Sequence, residues 1–199
     1  MSLPPARRDV IAIGASAGGL QEIATIMKRL PADLPAIVLV VLHRPGDQVS
    51  RLREVLGSKS RMPVVEAAHG EELHVGICYL GQPAEHLGID RLVHAQLTSD
   101  PGGKGRRGQT IDDLFASVAE HAGPRAIGVL LSGVLRDGSR GLAAIKRAGG
   151  ITMVQTPAEA QFADMPASAI AYAHGAAIDV IAPSAELARA IEHYVRAQD

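Results

Sequence analysis

Seven consecutive aliphatic residues, Ala36-Ile-Val-Leu-Val-Val-Leu42, set the tightest limit on what this chain can fold into. The run is far short of the roughly 20 apolar residues that span a bilayer. Its lack of polar alternation fits a strand covered on both faces, and such strands belong to parallel sheets layered between helices. The rest of the chain repeats the theme. Asp9 to Ile13, Pro63 to Glu66, Arg125 to Leu131, Ile151 to Gln155 and Ala177 to Ile181 read as further strands. Between them, Leu20 to Arg29, Gln48 to Leu56, Thr110 to His121 and the stretch ending at Ala148 read as helices, with two more starting at Pro166 and at a capping Ser184.

Leu73 to Leu97 breaks the helical period. Gly76 to Leu80 and Arg91 to Leu97 have strand character and predict an antiparallel hairpin, and the turn-rich Thr98 to Gly108 predicts a loop. Thr110 and Asp113 have the spacing of a capping box, although Asp stands where Glu or Gln is usual. Gly149-Gly150 is placed to end a helix. The expected fold is a doubly wound, mostly parallel α/β sheet between helix layers with an antiparallel hairpin, in a single domain over residues 1–199 and with no internal repeat.

Charge and composition exclude several functions. Lys and Arg number 20 against 21 Asp and Glu, so no bulk positive charge is available to grip nucleic acid. Aromatic content is 3% with no Trp, which removes the stacking platform of a single-strand binder. Cys78 is the single cysteine, and no charged-then-apolar leader precedes the first strand, so a cytoplasmic protein without membrane insertion is expected.

The chemistry concentrates after strands. Gly14-Ala-Ser16-Ala-Gly18-Gly19 follows the first strand and has three readings: a tight turn with a helix-capping serine, a phosphate cradle, or a nucleophile elbow. The phosphate reading is weakened because Gly-x-Gly-x-x-Gly is not met and the second strand ends without an acidic residue. Parallel strands share one C-terminal edge, where His43 follows the second strand and Asp137 lies in the turn after Arg125 to Leu131. With Ser16 they make a Ser, His, Asp set whose chain order differs from that of the common α/β-hydrolases. Singly, each also reads as an ordinary surface or turn residue. His69, His74, His86 and His94 lack metal-ligand spacing and read as scattered surface histidines, so neither a metal nor an organic cofactor is expected.

Taken in order along the chain, these motifs resemble the catalytic domain of the chemotaxis receptor methylesterases (protein-glutamate methylesterases). The matching residues are Ile13-Gly-Ala-Ser16-x-Gly-Gly19, His43-x-Pro45, Tyr79-Leu80, His86, Ile111-Asp112-x-Leu-Phe115, Gly133-x-x-x-Asp137-Gly138, Gln155 and Phe162-x-x-Met165-Pro166. The resemblance implies Ser16 as nucleophile, His43 as base and Asp137 as its orienting acid, with the Ala17 and Val134 backbone N–H groups as oxyanion donors. It implies hydrolysis of glutamyl methyl esters on the cytoplasmic helices of methylated chemoreceptors, with release of methanol. It also implies a separate regulatory or methyltransferase partner. Only eight residues precede the first strand, so a receiver domain is not expected within this chain.

Two departures from the family pattern bear on activity. Ala17 follows the nucleophile where Thr is common, and Leu135 replaces a glycine in the acidic loop, where it is expected to forbid a backbone angle that Gly allows. Both support an alternative: a non-catalytic descendant that binds a receptor or signalling partner through the same cleft.

Overall fold

A computed structural model describes residues 7–43, 51–83, 85–99, 108–172 and 178–197. Pro45, the start of the expected second helix at Gln48, the central part of the turn-rich loop and Ala177 lie outside the described residues. The chain runs β1 (Val10–Ala15), α1 (Gly19–Arg29), β2 (Ile37–Leu42), α2 (Leu52–Gly57), β3 (Val64–Glu66), β4 (Cys78–Leu80), β5 (Glu85–Ile89) and β6 (Ala95–Ser99). It continues with α3 (Thr110–Ala122), β7 (Ala126–Leu130), α4 (Ser139–Arg147), β8 (Ile151–Gln155), α5 (Asp164–Tyr172), β9 (Val180–Ala182) and α6 (Ser184–Arg196).

Seven of the strands form one parallel sheet in the order β3-β4-β2-β1-β7-β8-β9, and β5 pairs with β6 in a separate antiparallel hairpin. Alternation along each strand feeds two cores. Ile11, Ile13, Val38, Val40 and Val129 face the core formed with α1 and α6. Val10, Ala12, Leu39, Val41 and Leu130 face the core formed with α3, α4 and the hairpin. A fully buried aliphatic side chain of this kind contributes about 1.5–3 kcal/mol. Removing Leu39 down to alanine would leave a cavity costing about 2–5 kcal/mol.

The structure corrects four local expectations. Cys78 to Leu80 is buried throughout and joins the parallel sheet between β2 and β3, so the hairpin partner of β6 is β5 instead. Glu85-His-Leu-Gly-Ile89 carries a glycine and two polar residues, which hid its strand character. No side chain at its N-cap hydrogen-bonds the start of α3, and Asp113 does not reach back to the helix start; its carboxylate pairs with His86. Ser184 is the first residue of α6, not its cap, and its hydroxyl donates to Glu22 on α1, tying those two helices together. Gly149, in the left-handed region at φ 84°, does follow the end of α4 as expected.

Candidate active site

Three strand ends meet on one edge of the sheet. The β1–β2 register sets Ala15 beside Leu42, and the β1–β7 register sets Gly14 beside Leu130. Backbone bonds extend both ladders past the strands: His43 N–H donates to Ala15 at 3.0 Å, and Ser16 N–H donates to the Ser132 carbonyl at 2.9 Å. The winding reverses at β1, whose neighbours are β2 on one side and β7 on the other. A crevice at such a switch point is where open α/β sheets bind ligands.

The turn carrying Ser16 depends on close backbone approach. Gly18 sits at φ 72°, and a Cβ there would lie 2.8 Å from Gln161 Oε1 and 2.9 Å from Ser132 Oγ. Gly133 lies against the serine itself, since its Cβ would stand 2.8 Å from Ser16 Cβ and 2.2 Å from Met165 Sδ. Ser132 ties these pieces together. Its hydroxyl donates to the Ala17 carbonyl at 2.9 Å and accepts the Phe162 N–H at 3.0 Å, while its own N–H donates to Gln155 Oε1 at 2.8 Å. Sequence reasoning gave Ser132 no role. The available signal was a hydroxyl directly after a wholly apolar strand, at a position that proves fully buried.

His43 stands between the other two residues. Its Nδ1 lies 3.3 Å from Ser16 Oγ, and its Nε2 lies 2.8 Å from Asp137 Oδ2. A carboxylate only accepts, so Asp137 takes the Nε2 proton and leaves the Nδ1 lone pair facing the serine hydroxyl. The 3.3 Å spacing is in the loose range usual for a site without substrate.

Asp137 is buried, and its position is fixed by more than the histidine. Oδ2 also accepts the Ile111 N–H at 3.0 Å, while Oδ1 accepts Asp112 N–H at 3.0 Å and Gly138 N–H at 2.8 Å. Ile111 and Asp112 belong to the first turn of α3, whose amide groups need a partner and whose dipole favours a negative charge. The same turn answers in kind: Asp112 accepts Gly141 N–H at 2.8 Å and pairs with Arg140 Nε at 2.9 Å, locking α3 to α4. The loop holding Asp137 is therefore pinned at both ends.

The Ala17 and Val134 N–H groups have no hydrogen-bond partner among the described residues. Leu135 does not forbid the glycine-like angle; it adopts it, at φ 67°. That conformation costs an L-residue about 1–2 kcal/mol. Among the expected surface histidines, His86 is a correction: it is buried, and its Nδ1 lies 2.7 Å from Asp113 Oδ2, which fastens the hairpin to α3. Among the described residues, no three His, Cys, Asp or Glu side chains are grouped to hold a metal ion, and no helix is long and apolar enough to cross a membrane.

A family model described as CheB methylesterase matches residues 11–191. The chain belongs to the CheB methylesterase family. Relatives in that family include the protein-glutamate methylesterase/protein-glutamine glutaminase 3 of Burkholderia lata, 40% identical over 185 residues, covering 92% of this chain and 50% of the relative. The corresponding protein 1 of Xanthomonas campestris pv. campestris is 39% identical over 174 residues, covering 86% and 48%. The chain thus spans about half the length of these curated relatives. The crystal structure of the Thermotoga maritima CheB methylesterase catalytic domain superimposes with a TM-score of 0.84 at 29% identity, covering 94% of this chain and 99% of that one. The doubly wound sheet with its separate hairpin is thus the fold of a CheB catalytic domain.

Proposed function

We propose that this CheB-family chain, acting as a single catalytic domain in the cytoplasm, hydrolyses methyl esters of glutamate side chains on the cytoplasmic helices of chemoreceptors. The observation that carries this reading is His43 bridging Ser16 Oγ and Asp137 through its two ring nitrogens. A ring turned away from both would have suited the non-catalytic alternative.

In the proposed reaction, Ser16 Oγ attacks the ester carbonyl as its proton passes to His43 Nδ1. The Ala17 and Val134 N–H groups receive the developing oxyanion. Collapse breaks the C–O bond to the methoxy group, which takes the proton from Nδ1 and leaves as methanol. Water then attacks the acyl-serine, passing a proton to Nδ1, and the second collapse returns that proton to Ser16 and frees the glutamate. Asp137 holds the ring in the tautomer that both halves need. A glutamine amide would follow the same course with ammonia leaving, in line with the second half of the relatives' names. Ala17 brings no side-chain hydroxyl to the oxyanion position, and the loss of one such donor lowers turnover by on the order of 10²–10³ where it is used. A methyltransferase or regulatory protein acting on the same receptors is the expected partner.

The test is methanol release from methylated receptor membranes of the source cell. Release by the native chain and its loss in Ser16→Ala are expected. Silence from both, alongside an active methylesterase on the same membranes, would overturn the reading.

A further inference from the structure

Two non-glycine residues among those described sit in the left-handed region, Val93 at φ 63° and Leu135 at φ 67°. They differ in what their side chains do. Val93 packs against the core beneath the hairpin. Leu135 packs against neither core and is 73% exposed. A branched apolar side chain held in a costly conformation, in a place where it contributes nothing to the fold, points to a task outside the fold.

Its surroundings indicate the task. Leu135 lies two positions after Gly133, which is packed on Ser16, and two before Asp137, which holds His43. Two residues span no more than about 7 Å, so the leucine stands within a turn or two of helix of the nucleophile. An open groove of about 1000 Å³ passes it, lined also by Gln109, Arg136, Asp164, Ser168 and Tyr172. Ser168 Oγ lies 3.4 Å from the Leu135 carbonyl. Arg136, also exposed, has no ion-pair partner among the described residues.

We propose that Leu135 is a specificity-determining residue: it contacts an apolar side chain three or four residues from the ester-bearing glutamate on a substrate helix. This rests on the methylesterase reading for the identity of the substrate. Residues at that spacing lie side by side on a helix, so one substrate face offers both the ester and the apolar contact. Arg136 beside it favours a helix that carries carboxylates.

The test measures binding in the Ser16→Ala background, where turnover cannot interfere, using a stapled helical peptide with one glutamyl methyl ester and leucine three and four residues away. Leu135→Asn keeps a residue that tolerates the left-handed region while removing the apolar contact. It is expected to weaken binding about tenfold, as withdrawing a partly buried leucine would. Leu135→Met is expected to restore binding to within about twofold, as a volume-conserving apolar exchange. A peptide with serine in place of both leucines should bind weakly and be indifferent to residue 135. Equal binding by Leu135→Asn and the parent, or no binding of the leucine peptide by either, overturns the proposal. Leu135-dependent binding without Ser16-dependent methanol release would overturn the methylesterase reading and leave the recognition role standing.

Discussion

Asp137 and Ile111 share a hydrogen bond that joins the proposed catalysis to folding: the Oδ2 atom that holds His43 Nε2 at 2.8 Å also accepts the Ile111 N–H at 3.0 Å. The carboxylate that orients the histidine is thus also the cap of α3.

Replacing Asp137 with asparagine should damage both tasks at once. The amide cannot accept from the ring and from three backbone N–H groups together, so the wrong tautomer is favoured and turnover should fall by about 10⁴. Loss of the cap should also cost about 0.5–2 kcal/mol. Methanol release and urea unfolding on the same preparation measure the two effects. A variant with lower turnover and unaltered stability would contradict the shared role.

Gly133→Ala should separate them. Its new Cβ would press on Ser16 Cβ at 2.8 Å and on Met165 Sδ at 2.2 Å. Displacing a nucleophile by about 1 Å costs on the order of 100-fold in rate. Kinetics on a small methyl ester, set beside the thermal midpoint, should show activity lost in folded protein; native-like rates would mean that the turn can yield.

The acid limb of stability should carry the signature of Asp179. Burial pushes its carboxyl up, but the Lys146 ammonium and the Thr152 backbone and hydroxyl donors outweigh this and hold it below the ordinary aspartate value. A depressed folded-state pKa stabilises above the unfolded value of about 3.9, and that stability fades as pH falls through the lower folded value. Asp179→Asn should therefore be less stable than the parent at pH 7, with the gap closing below about pH 4. Unfolding curves collected from pH 7 to pH 2 check this, and a gap independent of pH would refute it.

Cys78 should be silent to alkylation in the native state. Burial pushes its thiol up to about 12, and the residue lies in β4, inside the sheet. Iodoacetamide at pH 8 should leave the folded chain unmodified and add one group per chain in denaturant, as mass spectrometry would register. Rapid native labelling would mean that β4 opens easily.

The sheet was legible because aliphatic runs such as Ile37 to Leu42 declare burial on both faces. Ser16, His43 and Asp137 were legible as a set because parallel strands bring their C-terminal ends to one edge. What escaped was non-local. The α3 cap comes from Asp137, 26 residues beyond Ile111. Asp113 leaves its expected capping role for His86 on another element. The β5 strand has weak propensity and is stabilised by pairing with β6 and by packing on α3. Leu135 could be flagged from sequence as a departure from the pattern, but that a leucine there would adopt the glycine-like angle, at φ 67°, was not legible.

The central place of β1, flanked by β2 and by the far later β7, has a consequence for the newborn chain. The ribosome delivers the serine first and the aspartate some 120 codons afterwards. Pairings this distant in sequence form late in folding. Until β7 closes on β1, the backbone partner of Ser16 at Ser132 is missing and His43 has no carboxylate to hold it. An unfinished polypeptide therefore lacks the arrangement on which the proposed hydrolysis depends, and gains it only when β7 closes on β1.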